Sequence, residues 1–187
     1  MPFTDGAYRD PPLQISPWSS IPEEGFLVCR LSLGTQSGTH IDAPSHFLAD
    51  GAPLDAIRPD QLLGQYFLLD LACQPSFETI ESQVRGYRQE SIVFLRTPMH
   101  AATELSIKSA QHLLCLPPKL FVLAGSINVE SDEPYAFHQL VARSGRYLAE
   151  DLDCEVAHQV RAGGEMMIMP LRLIGVSGSP CRVIVRV

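Results

Sequence analysis

No run of apolar residues in this sequence approaches the length a bilayer needs, which excludes a helical membrane protein. There is no basic stripe, and a formal net charge of −7 argues against nucleic acid or an anionic membrane as partner. The five cysteines (Cys29, Cys73, Cys115, Cys154, Cys181) stand far apart with no Cys-x-x-Cys pair. That excludes a zinc-finger arrangement and points to reduced, mostly buried thiols in a reducing compartment. Met1-Pro2-Phe3-Thr4-Asp5 lacks the basic and apolar regions of a secretory leader, so the expected location is the cytoplasm. A Gly-x-Ser-x-Gly elbow, a phosphate loop and a dinucleotide fingerprint are all missing. Serine hydrolases, nucleotide-dependent enzymes and dehydrogenases are therefore unsupported. Tryptophan is scarce too, with Trp18 alone.

What is present reads as one ordinary domain over residues 1–187, with 45% hydrophobic and 19% charged residues and no repeat, linker or low-complexity segment. Residues 1–25 are rich in Pro and Gly and are expected to form an irregular arm that covers a pocket or a partner subunit. Phe26 to Asp42 reads as one long strand. Further strands are expected at Tyr66–Leu71, Ser91–Thr97, Leu120–Ala124, Arg146–Asp151, Met166–Leu173 and Arg182–Val187. Helices are expected over Glu78–Gln89, over Ser106–Leu114 with Ser106 as cap, and from Pro134 to about Arg143 with Gly145 as stop. Gly125 to Asp132 reads as a loop, and Gly178-Ser179-Pro180 as the turn joining the last two strands. Strands alternating with helices, closed by a pair on a short turn, give an α/β fold with a mixed sheet.

The chemistry concentrates in Gln36-Ser37-Gly38-Thr39-His40-Ile41-Asp42-Ala43-Pro44-Ser45-His46-Phe47. A strand continued through Asp42 would put Gln36, Gly38, His40 and Asp42 on one face. Pro44 cannot continue a central strand, so the chain should turn there and bring His46 back to the same place. Two imidazoles and a carboxylate within a turn's length suit a borderline ion such as Zn or Mn. Taken alone, the stretch is equally consistent with a strand end whose polar residues face solvent. His138, among apolar helix neighbours, and Glu150, sharing a strand face with Leu148, are by themselves unremarkable polar residues. His100 in a loop and His112 and His158 at exposed helix positions are weaker candidates still.

The stretch from Gln36 to His46 resembles the signature His-x-Gly-Thr-His-x-Asp-x-Pro-x-His of the cyclase-like metal-dependent hydrolases, the family of bacterial kynurenine formamidase and isatin hydrolase. Six of the seven defined positions agree. The resemblance continues through Leu95-Arg96-Thr97, Ile127-Asn128-Val129-Glu130-Ser131, Phe137-His138 to Glu150, and Gly178-Ser179-Pro180-Cys181-Arg182. It implies a swivelling β/β/α fold, a barrel-like mixed β-sheet with flanking helices, usually assembled as a homodimer or homotetramer. It also implies one or two divalent ions, Zn or Mn, with His40, Asp42, His138 and Glu150 as ligands and His46 as general acid/base. The implied activity is hydrolysis of an amide, formamide, lactam or lactone bond in a small substrate, aromatic ones included.

Two departures stand out. Gln36 occupies the position of the first motif histidine; an amide oxygen can ligate, but more weakly than imidazole for zinc. The family's aromatic N-terminal segment has its nearest counterpart in Met1 to Gly6, so Phe3 is the first candidate for the substrate-lining aromatic, with Trp18 and Phe47 as others. A non-catalytic or weakly active metal-binding or ligand-binding relative with an impaired metal site, and a polyketide-type cyclase, are the alternatives to a working hydrolase.

Overall fold

The computed structural model describes residues 11–186. In chain order the strands are β1 (Gln14–Ser19), β2 (Val28–Ser32), β3 (His40–Asp42), β4 (Leu63–Asp70), β5 (Ile92–Arg96), β6 (Thr103–Leu105), β7 (Leu120–Ala124), β8 (Ile127–Val129), β9 (Tyr147–Glu150), β10 (Glu165–Pro170) and β11 (Gly178–Arg186). The helices are α1 (Ile21–Glu24), α2 (Phe77–Val84), α3 (Ile107–Leu113), α4 (Ala136–Arg143) and α5 (Cys154–Ala157).

Seven strands close into a barrel in the order β10-β11-β3-β9-β7-β5-β4. β4, β5, β7 and β9 run parallel to one another, whereas β10, β11 and β3 join by antiparallel pairing. The sheet is therefore mixed, and the fold is the expected α/β barrel type. Period-two alternation divides each strand between two cores. Ile92, Phe94, Leu120, Val122, Tyr147 and Ala149 fill the barrel interior. Val93, Leu95, Phe121, Leu123 and Leu148 face outward and pack with Ile80 of α2, Leu113 of α3 and Val141 of α4. Ile41 points inward and is fully buried, so His40 and Asp42 on either side of it must face outward. The Arg96 guanidinium donates to the carbonyls of Ala157 and Val160, tying the segment around α5 to the end of β5, and it also pairs with Asp70.

Several expectations need correction. The long strand from Phe26 to Asp42 is two strands. Val28–Ser32 pairs only with β1, in a separate two-stranded sheet, and residues 33–39 form a turn, with Gly38 at φ +66°, before β3 begins. A left-handed residue cannot lie in a continuous strand, so the simple alternation from Gln36 to Asp42 fails. The expected irregular arm contains β1 and α1 over residues 14–24, while Phe3 lies outside the described residues. Gly178-Ser179-Pro180 is the start of β11, not a turn; it pairs with Asp42, Ile41 and His40 of β3. The loop expected after β7 contains β8, which pairs in parallel with β6.

Candidate metal and catalytic site

Strand alternation on β3 sends His40 and Asp42 out of the barrel toward the layer of helices. Antiparallel pairing sets Glu150 of β9 directly opposite His40. Helix α4 packs against β9 and the turn after β3, and brings in His138. One ligand atom from each of His40, Asp42 and Glu150 lies within 4.8 Å of the others. His40 Nε2 is 3.5 Å from Asp42 Oδ1 and 3.5 Å from Glu150 Oε1. His138 stands just beyond, its Nε2–H donating to Glu150 Oε2 at 2.9 Å. The other ring nitrogen of His138 is buried without a partner among the described residues.

The electrostatics of the cluster call for a cation. Nδ1–H of His40 donates to the Gly38 carbonyl at 2.8 Å, which leaves Nε2 as the acceptor in the neutral ring. A lone pair then faces two carboxylate oxygens, and only a proton or a metal ion makes that arrangement favourable. Burial alone would lower the His40 pKa; the hydrogen bond to Glu150 and the charge of Asp42 overcome this and lift it to about 9. Burial beside Glu150 pushes Asp42 up to about 6. Burial would raise Glu150 as well, but its bonds to His138 and His40 hold it low instead, at about 2. Two buried carboxylates and an imidazole with an inward-facing lone pair form a donor set that fits a divalent ion.

Pro44 to His46 forms a single 3-10 turn directly after Asp42. It leaves His46 solvent-exposed beside the cluster, close enough for its charge to act on Asp42. The Phe47 ring meets His46 edge-on at 4.6 Å and lies 5.7 Å from His138 and 6.1 Å from Tyr135. The space bounded by Asp42, Phe47 and His138 amounts to only about 10 Å³. Trp18 is not brought to this place. It stacks on Arg30 at 4.5 Å in the β1–β2 hairpin and is 67% exposed.

Gln36 reaches Asp42 after all, through the turn rather than along a strand. Its Nε2 donates to Asp42 Oδ1 at 3.3 Å and to Ser177 Oγ at 3.4 Å, while its Oε1 accepts from the Thr35 hydroxyl at 2.6 Å. The amide therefore shows the cluster its nitrogen, not the oxygen that ligation would require. Ser177 in turn stands 3.4 Å from His46 Nδ1.

Ser177, Tyr135 and Asp151 were invisible as site residues in the sequence. Ser177 precedes a tripeptide read as a turn. Tyr135 and Asp151 share an uncommon left-handed backbone, each with φ 56°, at positions flanking His138 and Glu150. Of the weaker histidines, His158 is not a free helix position. It is half-buried, with its ring nitrogens at the carbonyls of Cys154 and Thr97.

The sequence profile of the Cyclase family matches residues 2–131, more than half of the chain. The chain belongs to the Cyclase family. Among curated proteins it is similar to the kynurenine formamidase of Bacillus cereus, 26% identical over 181 residues that cover 90% of this chain and 84% of that protein. It is also similar to that of Delftia acidovorans, 28% identical over 169 residues, 85% of this chain and 79% of that one. Among solved structures, isatin hydrolase A from Labrenzia aggregata superposes with a TM-score of 0.77 at 18% identity, over 99% of this chain and 87% of the other. A structure described as a potential metal-dependent hydrolase with cyclase activity gives 0.64 at 22% identity, over 92% of this chain and 86% of the other. The Cyclase-family barrel is thus shared along nearly the whole length of the chain.

Proposed function

We propose that this protein is a metal-dependent hydrolase that opens an amide, formamide, lactam or lactone bond in a small substrate. The observation carrying the reading is the convergence of His40, Asp42 and Glu150 within 4.8 Å, next to an exposed His46. The curated relatives named kynurenine formamidase support the bond type.

His40, Asp42 and Glu150 would hold the ion, Zn or Mn, with His138 oriented on Glu150. When bound, such an ion supplies Lewis-acid polarisation of a carbonyl and makes water acidic enough to attack near neutral pH. His46 is the general acid/base: it takes the proton of the attacking water and returns it to the leaving amine. Phe47 and Tyr135 stand where they would receive a flat ring beside the scissile bond, and Phe3 is retained as a candidate lining residue. Ser177 Oγ lies 3.4 Å from His46 Nδ1 and, by accepting from Nδ1–H, would leave Nε2 with the lone pair that takes the proton.

The working unit is a homodimer or homotetramer in the cytoplasm. An isolated two-stranded hairpin is marginal in water, yet β1–β2 exposes Ile15, Trp18, Leu27 and Leu31, each more than half open. A second copy is the partner that would cover them. No helix among the described residues is long and apolar enough to cross a membrane.

Metal content of protein purified without chelator, followed by assay on N-formyl arylamines and cyclic amides, tests the reading. Stoichiometric metal with no turnover on any of these would count heavily against it. A dehydrating cyclase using the same His46 is the second reading, favoured by the solved neighbour described with cyclase activity. Product mass separates the two, since hydrolysis adds water and dehydration removes it.

A further inference from the structure

We infer that Gln36 acts as a built-in substitute for a second cation, so that the site holds one metal ion and not two. This rests on reading the His40, Asp42 and Glu150 cluster as a metal site. Every hydrogen-bonding group of the Gln36 side chain is committed. Its oxygen accepts from Thr35, and its nitrogen donates to Asp42 Oδ1 and Ser177 Oγ. Turning the amide over would set its oxygen against a carboxylate oxygen at 3.3 Å and its nitrogen against the Thr35 hydroxyl, so the network fixes the orientation. The partial positive charge of the N–H group thus sits on Asp42 Oδ1, where it occupies a lone pair that an additional cation would need.

Two further features agree. His138 has its Nε2 committed to Glu150 and is not among the residues whose ligand atoms converge. Gly178 keeps the space that Gln36 occupies, since a β-carbon there would come within 2.4 Å of Gln36 Nε2 and 3.3 Å of Asp42 Oδ1. β11 therefore approaches without a side chain at the one register position where the amide has to fit. The same amide couples the metal ligand Asp42 to His46, through the hydroxyl of Ser177.

Titration of chelator-stripped protein with Mn²⁺ or Zn²⁺ by calorimetry, with the Mn²⁺ electron paramagnetic resonance spectrum as a second readout, tests the inference. The parent is expected to bind one ion per chain and to show an uncoupled Mn²⁺ signal. Gln36→His and Gln36→Glu, which replace the N–H donor by a ligand, should each raise the stoichiometry to two and give a spin-coupled signal. Gln36→Leu should keep one ion, with affinity lowered less than about tenfold. Two ions in the parent, or one ion in both ligand-bearing variants once melting curves show them folded, would overturn the role given to Gln36. Loss of the single ion in Gln36→Leu would mean that the amide is itself a ligand, and would overturn it as well. A parent that binds no ion at all would instead sink the metal-site reading.

Discussion

At His40 the Nδ1 side meets the Gly38 carbonyl with Asp151 Oδ2 at 3.8 Å, and the Nε2 side meets Asp42 and Glu150, each at 3.5 Å. In the metal-free protein this favours the charged ring, with a pKa lifted to about 9 from an ordinary 6.5. A histidine raised in the folded state contributes stability that is fully present below 6.5 and lost as the pH climbs through 9. The thermal midpoint of chelator-treated protein should accordingly fall between about pH 7 and pH 9. Protein loaded with metal should show a flatter profile, because the ion replaces the proton. Parallel melting curves of the two forms across that range check this. At His46 the expectation is catalytic: His46→Ala should lower turnover roughly 10²- to 10⁴-fold, the usual contribution of a general acid/base, with metal content unchanged. Metal analysis alongside steady-state kinetics decides it, and a fall in both would reassign His46 as a ligand. The thiols are not mostly buried as expected: Cys29, Cys73 and Cys115 are exposed and should be alkylated first at about pH 8, while burial pushes partly buried Cys181 up to about 12, so it should resist.

The 3-10 turn from Pro44 to His46 depends on a residue that carries no chemistry. Gly51 packs so closely on Pro44 that a β-carbon there would lie 2.5 Å from the Pro44 carbonyl carbon and 2.6 Å from Ser45 N. Both contacts are backbone and cannot rotate away. Gly51→Ala should therefore cost about 1–3 kcal/mol, the usual range for overpacking, and should impair turnover as well because the displaced turn carries His46. Denaturant unfolding and kinetics on the same variant measure the two effects, and an unchanged midpoint would show that the turn yields. The strands behave differently. Inward and outward residues on β5, β7 and β9 serve two separate cores, and the same alternation on β3 leaves His40 and Asp42 on the outer face, with Glu150 opposite His40.

For the whole molecule, the apolar hairpin β1–β2 stands apart from the barrel sheet. Ile15 and Leu31 are cross-strand partners, 62% and 61% exposed. Charging that pair with Ile15→Asp and Leu31→Asp should convert an oligomer into monomers without unfolding the barrel. Light scattering after gel filtration reads the mass directly, and a monomeric parent would end the hairpin's role as an interface.

The sequence by itself determined what depends on local period and on residue type. Continuous apolar runs in Leu120–Ala124 and Ile92–Leu95 marked buried strands, Ser106 marked a helix start, and His40-Ile41-Asp42 carried the two polar positions of the outward face. Those features follow from neighbours a few residues apart. Only the tertiary structure decided which way the Gln36 amide faces, because that is set by Ser177, 141 residues further on. It likewise decided that Gly178 pairs with β3 instead of turning, since a Gly-Ser-Pro tripeptide is compatible with either and the register of β11 selects one. The turn at Gly38, which breaks the expected strand and returns Gln36 to Asp42, was settled by barrel closure, which requires β3 to lie between β11 and β9.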